Sequence, residues 1–488
     1  VVRRAAAGLA AWLREQEGLP REVVVGYDAR HGSRDFAEDT ARVLGGAGLR
    51  PLLLPGPLPT PVLAFAVRYE DCAAGVMVTA SHNPATDNGY KVYLADGAQL
   101  VPPADAEIEA RIRAVGRVTD LPLADEWEVL DDGVVEEYLE ALLSLSLVSE
   151  WDVRIAYTPL HGVGLDTALA AFRRGGFEAV EVVRAQAEPD PDFPTAPFPN
   201  PEEPGALDLL LALAERTGAD VAIANDPDAD RCAVAVPLPD GGWRPLSGDE
   251  VGWLLADHVL AHTSGSDRLV ATTIVSSSML GRIAESYGVA WAETLTGFKW
   301  IARAQGGRLV FGYEEALGYA VGPTGLVVRD KDGIGAALVM AEVAARAKAE
   351  GRTLLDRLDD LARRHGVHLT SQVSVRREGP TGPQEISRSV EGLLARPPAE
   401  VGGLAVERVV DLADPAATGL PATPGVRLHL ERGARVVVRP SGTEPKVKAY
   451  LEVVAPVRGG DLAGTRAGAA RRMQALQEGV RALVGPPS

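Results

Sequence analysis

The sequence predicts an α/β protein of several domains, with largely parallel sheets flanked by helices. Length is the first reason, because 488 residues are too many for one hydrophobic core and three or four domains are expected. The second reason is a regular alternation of short apolar strands with helical stretches rich in Ala, Leu, Arg and Glu, which is typical of βαβ units. This alternation restarts after about Leu147 and again near Ser264, which indicates successive domains.

The first domain is predicted to open with an amphipathic helix over residues 1–13. A signal peptide is not favoured there, because Arg14, Glu15 and Glu17 follow the apolar stretch at once and no small-residue cleavage site is present. Strands and one helix are then predicted in chain order at Glu22–Gly26, Ser33–Ala47 (the helix), Leu49–Leu54 and around Val76.

The later domains show the same order of elements. Val153–Tyr157 is predicted as a strand and Leu165–Arg174 as a helix, and Leu269–Ile274 begins the next domain as a strand. Glu188–Gly205 is rich in proline and is expected to be an extended loop. A change of composition near Val367 introduces the last region, with strands and a terminal helix predicted at Val367–Val375, Val436–Val438, Val447–Val453 and from about Gly464.

Composition limits the partners of this chain. A formal net charge of -18 argues against nucleic acid or an anionic membrane as the main partner, because those surfaces attract an excess of Lys and Arg. No apolar run approaches the roughly 20 residues that span a bilayer, so no membrane partner is expected. Cys72 and Cys232 provide no disulfide framework and suit the reducing cytoplasm. A small anionic substrate stays compatible, and a monomer or a homodimer is expected.

Four apolar strands each end in a polar loop, and these loops carry the candidate chemistry. Ligands of open α/β sheets bind at the carboxyl ends of the strands. We therefore expect one active site, in a cleft where the domains meet. The four strand ends are Val76–Val78 before Ser81, Val221–Ala224 before Asp226, Leu309–Phe311 before Glu314, and Val436–Val438 before Arg439.

The loop Thr79–Pro84 presents one hydroxyl, that of Ser81, directly after a buried strand. A serine held there by a rigid scaffold is placed for chemistry on its oxygen, and phosphoryl transfer is the first candidate. His82 either orients this loop or bonds to the backbone. Asn88 and Gly89 form a tight-turn pattern, so the next strand is expected to return Lys91 beside Ser81; a solvated strand lysine is the alternative.

Three carboxylates, Asp226, Asp228 and Asp230, occupy every second position after the strand Val221–Ala224. Such spacing can turn several oxygens toward one hard cation such as Mg²⁺, and Arg231 adds a contact for an anion beside it. An EF-hand loop is excluded, because Arg231 and Pro237 stand where Gly and Glu are required. A phosphatase of the haloacid-dehalogenase type would carry Thr or Val at the place of Asp230. A solvated acidic turn is the remaining alternative.

The loop after Val438 combines Arg439, Ser441, Gly442, Thr443 and Lys446. A guanidinium, two hydroxyls and freed backbone N–H groups can bind a phosphate, although the spacing is not that of a Walker A loop. An ordinary turn stays equally open for this segment taken alone.

Three further segments hold candidate contacts. Glu314 and Glu315 could accept hydrogen bonds from sugar hydroxyls, or form the acidic first turn of a helix. Lys331 could meet a phosphate or donate a proton, or belong to an exposed charged turn. Thr296 and Lys299 flank a Gly turn that could equally be a plain connection.

Taken together and in this order, the loops resemble the α-D-phosphohexomutase superfamily over essentially the whole chain. Thr79–Pro84 is similar to its phosphoserine loop, Asp226–Arg231 to its magnesium loop, Gly312–Ala316 to its sugar-binding loop and Arg439–Pro445 to its phosphate-binding loop. The Thr-Gly-Phe-Lys-Trp, Glu-Glu-Ala-Leu-Gly-Tyr and Lys-Asp-Gly segments look most like its phosphoglucomutase/phosphopentomutase branch.

The resemblance implies four domains around a central cleft, three similar mixed α/β domains and a smaller C-terminal α+β domain. Their expected bounds and roles are 1–147 (phosphoserine), 148–263 (magnesium), 264–366 (sugar) and 367–488 (phosphate). Family members also begin with a Gly-Thr-Ser/Ala-Gly-x-Arg-Gly segment that this sequence does not contain, so a missing N-terminal segment is expected.

The resemblance also implies residue roles. Ser81 would carry the phosphoryl group, with His82 beside it and Lys91 and Lys331 as proton-transfer or phosphate-contacting lysines. One Mg²⁺ per chain would be held by Ser81, Asp226, Asp228 and Asp230. The implied substrate contacts are Arg30, Arg231, Thr296, Glu314, Glu315, Arg439, Ser441, Gly442 and Thr443.

The function implied is a cytoplasmic mutase that interconverts aldose 1-phosphates and 6-phosphates of glucose, mannose or both. It would work through a phosphoserine and a bisphosphate intermediate, with sugar 1,6-bisphosphate as activator. Ala316 stands where the glucomutase pattern has a serine, which weakens strict glucose specificity. The alternatives are a phosphopentomutase, a metal-dependent sugar phosphatase and an inactive sugar-phosphate-binding relative.

Overall fold

The structure is a computed structural model that describes residues 1–377, 382–441 and 446–485. The chain divides into two compact units. Unit one comprises Val1–Ala271 and Gly297–Leu354, and unit two comprises Thr272–Thr296 and Leu355–Ser488.

The helices of the described residues run in chain order through both units. They are α1 (Val2–Glu15), α2 (Ser33–Gly46), α3 (Thr60–Tyr69), α4 (Ala104–Ala114), α5 (Gly133–Leu143), α6 (Leu165–Arg174), α7 (Asp208–Thr217), α8 (Gly248–His262), α9 (Met279–Ser286), α10 (Phe298–Ile301), α11 (Gly333–Ala349), α12 (Leu354–His365), α13 (Gly382–Ala395), α14 (Pro415–Thr418) and α15 (Leu462–Val484). None of these helices has both the length and the apolar composition that crossing a membrane requires.

The strands alternate with these helices. They are β1 (Glu22–Tyr27), β2 (Arg50–Leu53), β3 (Ala74–Val78), β4 (Lys91–Leu94), β5 (Glu128–Val129), β6 (Ile155–Thr158), β7 (Val180–Val182), β8 (Val221–Asn225), β9 (Cys232–Pro237), β10 (Trp243–Pro245), β11 (Arg268–Thr273), β12 (Ala290–Thr294), β13 (Arg308–Glu314), β14 (Gly318–Val321), β15 (Val367–Arg376), β16 (Glu400–Val401), β17 (Leu404–Asp411), β18 (Val426–Leu430), β19 (Arg435–Pro440) and β20 (Lys446–Ala455).

The first sheet of unit one has the order β4-β3-β1-β2-β5. β1 pairs in parallel with β2 and β3, and only β4 runs antiparallel, to β3. All five residues of β3 are buried, because a strand inside a parallel sheet is covered on both faces. Its core joins apolar side chains of α1, α2, β1 and β3, among them Leu9, Leu44, Val25 and Val76. This buried strand ends at Val78, three residues before Ser81.

The second sheet has the order β10-β9-β8-β6-β7. β6 pairs in parallel with β7 and β8, whereas β8 and β9 form an antiparallel hairpin. The turn of that hairpin contains the three aspartates. β11, β13 and β14 belong to a third sheet, in which β13 and β14 are antiparallel.

The sheet of unit two is antiparallel throughout, in the order β15-β20-β19-β18-β17-β16. Alternate residues of β18 are buried, as expected for a sheet with one face against a core. That core contains Val426 and Leu428 of β18, Val436 of β19 and Leu476 of α15.

The predicted fold class is confirmed, and most predicted elements lie within one or two residues of their observed bounds. The predicted loop Glu188–Gly205 contains no strand or α-helix. One connection differs from the expectation. Lys91 does return antiparallel beside β3, opposite Met77, but the connection spans residues 79–90 and is not a two-residue turn. Gly89 packs instead against Thr79, where an added Cβ would lie 2.4 Å from the carbonyl oxygen.

A buried network of ion pairs and hydrogen bonds connects β19 and β20 with three other residues of unit two, which are Ser277, Glu293 and His368. Arg435 Nε lies 2.7 Å from Glu452 Oε2, and Arg435 Nη1 lies 3.1 Å from Glu293 Oε1. Glu452 Oε1 accepts a hydrogen bond from Ser277 Oγ at 2.6 Å and lies 2.9 Å from His368 Nδ1. Glu452 is only 3% exposed, so its charge depends on these partners.

Replacing Glu452 by Gln is expected to lower the free energy of unfolding of unit two by about 3 kcal/mol, because it removes one of the two carboxylates that face the buried Arg435. Urea unfolding followed by circular dichroism measures the change. The matched control, Glu431→Gln, alters a carboxylate whose partner Arg432 is 66% exposed, and we expect little effect from it.

The effect of Glu452→Gln should depend on pH. Burial by itself would raise the pKa of Glu452, but Arg435 and the hydrogen bond with His368 outweigh it and hold that pKa well below its ordinary value of 4.5. A lowered carboxylate pKa stabilises the fold above the unfolded-state value, and this stability is lost as the pH falls toward the folded-state value. The difference in free energy of unfolding between wild type and Glu452→Gln should therefore become smaller below about pH 4.5. A difference that does not change with pH would contradict the lowered pKa of Glu452.

Candidate active site

Ser81 occupies a strained position at the start of the 79–90 connection. Its φ is +51°, in the left-handed region that non-glycine residues rarely adopt. Thr79 Oγ1 accepts a hydrogen bond from the Ser81 N–H at 2.9 Å. Strained residues of this kind persist only when their surroundings hold them, and they cluster at functional sites.

The hydroxyl of Ser81 points toward the aspartates of the second sheet. Ser81 Oγ donates to Asp226 Oδ2 at 2.8 Å and lies 3.2 Å from His82 Nδ1. Burial, reinforced by the nearby charge of Arg231, lowers the pKa of His82 to about 3. The serine oxygen thus lies between a carboxyl group and a neutral imidazole, which supports the view of His82 as a neighbour that orients the serine.

Asp226, Asp228 and Asp230 are fully buried in the turn between β8 and β9. One carboxylate oxygen from each residue lies within 4.8 Å of the others. Oδ1 of Asp228 and Oδ1 of Asp230 are buried and make no hydrogen bond with any described residue. A divalent cation with oxygen ligands, such as Mg²⁺, would satisfy such orphaned oxygens, so the donor set fits this group.

Two glycines permit the backbone of this turn to pack closely. A Cβ on Gly162 would lie 2.3 Å from the backbone of Pro227, and a Cβ on Gly333 would lie 2.2 Å from the carbonyl oxygen of Arg231. Within the turn, Ala229 has a φ of +55°. The acidic turn is therefore enclosed by neighbouring backbone, which excludes the alternative of a solvated acidic turn.

Two lysines compensate part of the negative charge. Lys91 Nζ lies 2.6 Å from Asp228 Oδ2 and 2.8 Å from Asp230 Oδ2, and Lys331 Nζ lies 3.1 Å from Asp230 Oδ2. Burial by itself would lower the pKa of Lys91, but Asp228 and Asp230 outweigh it and raise that pKa. The pKa of Lys331 is raised in the same way, against burial, chiefly by Asp230 and Asp330. Both lysines are therefore ammonium ions in this arrangement.

The aspartates differ in their affinity for protons. Burial, and then the charges of Asp228 and Asp230, raise the pKa of Asp226 well above its ordinary value. For Asp230 burial acts in the same direction, but Lys331 and Lys91 outweigh it and lower the pKa. Without a cation the turn therefore favours a proton on Asp226, since three buried carboxylates resist full ionisation together.

Arg231 and Glu314 lie beside this cluster in unit one. Arg231 Nε lies 4.0 Å from Asp226 Oδ2, and its Nη1 donates to the carbonyl oxygen of Ala316 at 2.9 Å. Glu314, at the end of β13, accepts a hydrogen bond from the Gly297 N–H at 2.7 Å. Burial raises the pKa of Glu314. Glu315 follows in the turn between β13 and β14, half-buried.

The predicted phosphate-binding loop belongs to unit two. Arg439, at the end of β19, donates a hydrogen bond from Nη1 to the hydroxyl of Thr296, so two predicted substrate contacts lie together. Ser441 follows with its N–H bonded to the carbonyl of Lys446 at 2.9 Å. Gly442 and Thr443 lie outside the described residues.

Two residues of the site differ from the sequence-based expectation or were missed by it. Arg30, expected as a substrate contact, directs its guanidinium to backbone carbonyls of the serine loop. Thr60 was not predicted, yet its Oγ1 donates to Asp228 Oδ2 at 2.6 Å and its N–H to the Asp228 carbonyl at 2.9 Å. No local pattern marks Thr60, because it is 168 residues from its partner. The roles of all these residues stay predictions at this point.

Comparison with known proteins supplies independent findings. Four models of the phosphoglucomutase/phosphomannomutase family match consecutive parts of the chain: α/β/α domain I over residues 1–118, domain II over 136–240, domain III over 247–365 and the C-terminal domain over 396–465.

Three curated relatives extend these matches. A probable phosphomannomutase of Haemophilus influenzae is 44% identical over 457 residues, which cover 93% of this chain and 92% of the relative. A probable phosphoribomutase of Schizosaccharomyces pombe is 36% identical and covers 88% and 78% of the two chains. A phosphoglucomutase of Staphylococcus haemolyticus is 33% identical and covers 93% and 86%.

Solved structures agree with this similarity. A crystal structure of a Thermus thermophilus protein assigned as a phosphomannomutase has a TM-score of 0.74 and 29% identity, covering 99% of this chain and 94% of that one. A phosphoglucomutase/phosphomannomutase family protein of Burkholderia thailandensis has a TM-score of 0.74 at 20% identity, covering 100% and 94%, and shows the same fold.

Proposed function

This chain belongs to the phosphoglucomutase/phosphomannomutase family and is a mutase, and on that premise we propose that it interconverts aldose 1-phosphates and 6-phosphates. We propose glucose and mannose phosphates as substrates, and Ser81 as the phosphoryl carrier. The observation that carries the proposal is the hydroxyl of Ser81, which lies 2.8 Å from Asp226 Oδ2 in a buried trio of aspartates; the Oδ1 atoms of Asp228 and Asp230 in this trio make no hydrogen bond with a described residue and fit a divalent cation.

The choice of sugar rests on the relatives and on one residue. Relatives named for mannose, glucose and ribose phosphates all cover most of this chain. Ala316 has no hydroxyl to read a sugar, and its carbonyl is used by Arg231. We therefore expect broad acceptance of hexose phosphates, and the phosphoribomutase relative keeps pentose phosphates as a second candidate.

In the proposed reaction, the Oγ–P bond of phospho-Ser81 breaks as the phosphoryl group moves to the free hydroxyl of the sugar phosphate, and the proton of that hydroxyl ends on Ser81 Oγ. The resulting sugar bisphosphate reorients, and its other phosphoryl group returns to Ser81 Oγ. Catalysis of such transfers consists mainly of positioning and charge stabilisation. The ammonium groups of Lys91 and Lys331 supply positive charge next to the serine loop, and their raised pKa values suit that role better than accepting a proton.

We propose that Ser81, Asp226, Asp228 and Asp230 would hold one Mg²⁺. When bound, this cation would neutralise negative charge on the phosphoryl group in transfer. We also propose sugar 1,6-bisphosphate as activator, because it would restore the phosphoryl group to an enzyme whose serine has lost it.

The substrate contacts are divided between the two ends of a sugar phosphate. We propose that Arg231 binds the phosphate that reacts, and that Glu314 and Glu315 accept hydrogen bonds from sugar hydroxyls. We propose that a phosphate group of the substrate is bound by Thr296, Arg439, Ser441, Gly442 and Thr443. Few hydroxyl contacts suit a substrate that must bind in two orientations.

We propose a cytoplasmic enzyme, which suits the free and buried thiols of Cys72 and Cys232. Burial raises the pKa of Cys72 to about 12, so this thiol is unreactive at neutral pH. A monomer or a homodimer stays the expectation.

A coupled assay of the purified protein with glucose, mannose and ribose 1-phosphates tests the proposal. We expect turnover of the two hexose phosphates in Mg²⁺ and a stimulation by catalytic amounts of glucose 1,6-bisphosphate. Release of inorganic phosphate at the rate of substrate loss would instead show a phosphatase. Turnover of ribose 1-phosphate alone would replace the hexose proposal with the pentose one.

A further inference from the structure

One buried side chain, that of Arg30, binds several backbone carbonyls of the serine loop. Arg30 Nη2 donates to the carbonyl oxygens of Ser81 at 2.6 Å and Asn83 at 2.5 Å. Arg30 Nη1 donates to those of Pro84 at 2.7 Å and Asp87 at 3.3 Å. Arg30 is 4% exposed, so this arrangement is shielded from water. The four N–H bonds of the two terminal nitrogens thus meet four backbone carbonyls.

The remaining nitrogen of the guanidinium faces a carboxylate. Arg30 Nε lies 3.2 Å from Asp28 Oδ2. Asp28 is fixed in turn, because its Oδ1 accepts hydrogen bonds from Ser33 Oγ at 2.6 Å and from the Arg30 N–H at 3.0 Å. The ring of Phe193 lies 4.9 Å from the guanidinium carbon and covers it. This Nε makes no hydrogen bond with a described residue but is buried, and the four terminal N–H groups are bound to the loop, so Arg30 offers no accessible N–H to a substrate phosphate.

Only a guanidinium suits these acceptors. Backbone carbonyls that converge on one point repel each other, and an irregular loop offers them no row of N–H partners. Arginine presents five N–H donors in one plane, whereas the ammonium of lysine has three donors on a single atom. A lysine at position 30 would keep the charge and leave carbonyls of the loop without a donor.

The consequence concerns the position of Ser81. A serine at a φ of +51° is unfavourable by itself and relaxes unless its surroundings hold it. The carbonyl of Ser81 is one of the four that Arg30 binds, so Arg30 holds the same residue whose backbone is strained. The side chain of the same residue reaches Asp226.

We propose that Arg30 is a positioning residue, which holds the 81–87 loop so that the Ser81 hydroxyl stays at the acidic turn, and that it makes no contact with the sugar phosphate. This inference rests on the proposed role of Ser81 as phosphoryl carrier. It changes the role that the resemblance implies for Arg30, from a substrate contact to a support of the nucleophile.

The test measures kcat and KM for glucose 1-phosphate in Arg30→Lys and Arg30→Ala. We expect kcat to fall by about 100-fold, the scale of a misplacement of about 1 Å, while KM changes less than about threefold because no substrate contact is lost. Free guanidinium chloride should restore part of the activity of Arg30→Ala, and ammonium chloride should not. A rise of KM with unchanged kcat, or unchanged values of both, would overturn the proposal.

Hydrogen exchange of the 79–90 segment separates failure of this proposal from failure of the proposed function. We expect faster exchange there in Arg30→Lys, with the exchange of β1 and β3 unchanged, and this readout requires no enzyme activity. If the wild type has no mutase activity, exchange alone decides the role of Arg30, and unchanged exchange rejects it. Arg34→Ala is the matched control, since Arg34 is an exposed arginine of α2 paired only with Glu38 among the described ion pairs. If Arg30→Ala fails to fold, the kinetics and the hydrogen exchange of Arg30→Lys alone test the proposal.

Discussion

Replacing Ser81 by Ala is expected to reduce isomerisation by at least about 10⁴-fold, the scale on which loss of a covalent nucleophile acts. The change removes one oxygen, so no phosphoryl group can be carried. Alanine tolerates the left-handed φ of this position about as poorly as serine, so the fold should keep its stability. The coupled assay measures the loss, and thermal unfolding measures the stability.

Intact-mass measurement adds a second readout for this variant. Wild-type protein treated with glucose 1,6-bisphosphate should gain one phosphoryl group, and Ser81→Ala should gain none. The control Ser144→Ala removes an exposed hydroxyl that, among the described residues, bonds to the Ala141 carbonyl alone, and it should behave as wild type in both readouts. Residual turnover of Ser81→Ala above a few per cent of wild type would reject Ser81 as the carrier.

Replacing Asp228 by Asn should weaken Mg²⁺ binding by more than about 100-fold, because changes even beyond the direct ligands of a metal cost 10–100-fold. Activity should fall with it, since charge stabilisation dominates phosphoryl transfer. Asn keeps the shape of the side chain and removes one charge. Titration calorimetry gives the affinity, and Asp240→Asn, at an exposed position, is the control.

The affinity of wild type for Mg²⁺ should also rise with pH. Burial and the neighbouring carboxylates raise the pKa of Asp226, so the metal-free turn binds a proton there more readily than an ordinary aspartate does, and a proton bound there competes with the cation. Calorimetry in buffers of different ionisation enthalpy should detect release of this proton on binding. Asp228→Asn removes one of the charges that raise the pKa of Asp226, so this variant should release fewer protons when it binds Mg²⁺.

Equal affinity of Asp228→Asn and wild type for Mg²⁺ would exclude Asp228 as a ligand.

Much of the architecture could be predicted because local patterns carry it. The helix predicted at Leu165–Arg174 is observed with those bounds, and the strand predicted at Val367–Val375 extends by one residue. In both cases the apolar period and the flanking Gly or Pro residues agree with the tertiary environment. Asn88 and Gly89 did not form the predicted tight turn, because Gly89 serves a long-range contact with Thr79 instead.

The site was predictable to the extent that its residues cluster in short loops. Asp226, Asp228 and Asp230 share one short segment with Arg231, so their residue types and spacing were enough to indicate a cation site with an anion contact beside it. Thr60 was not predictable, since nothing near it in the sequence indicates that it would bind Asp228.

The sequence by itself determined the fold class, the order of the reactive loops and the identity of the groups at each strand end. Those properties depend on hydrophobic period and on residue type, both of which are local. Only the tertiary structure decided that Lys91 and Lys331 pair with the aspartates, that the pKa of Asp226 is raised and that Arg30 binds the carbonyls of the serine loop. These properties depend on burial and on distances between segments far apart in the chain, because a few ångströms decide how strongly two charges interact.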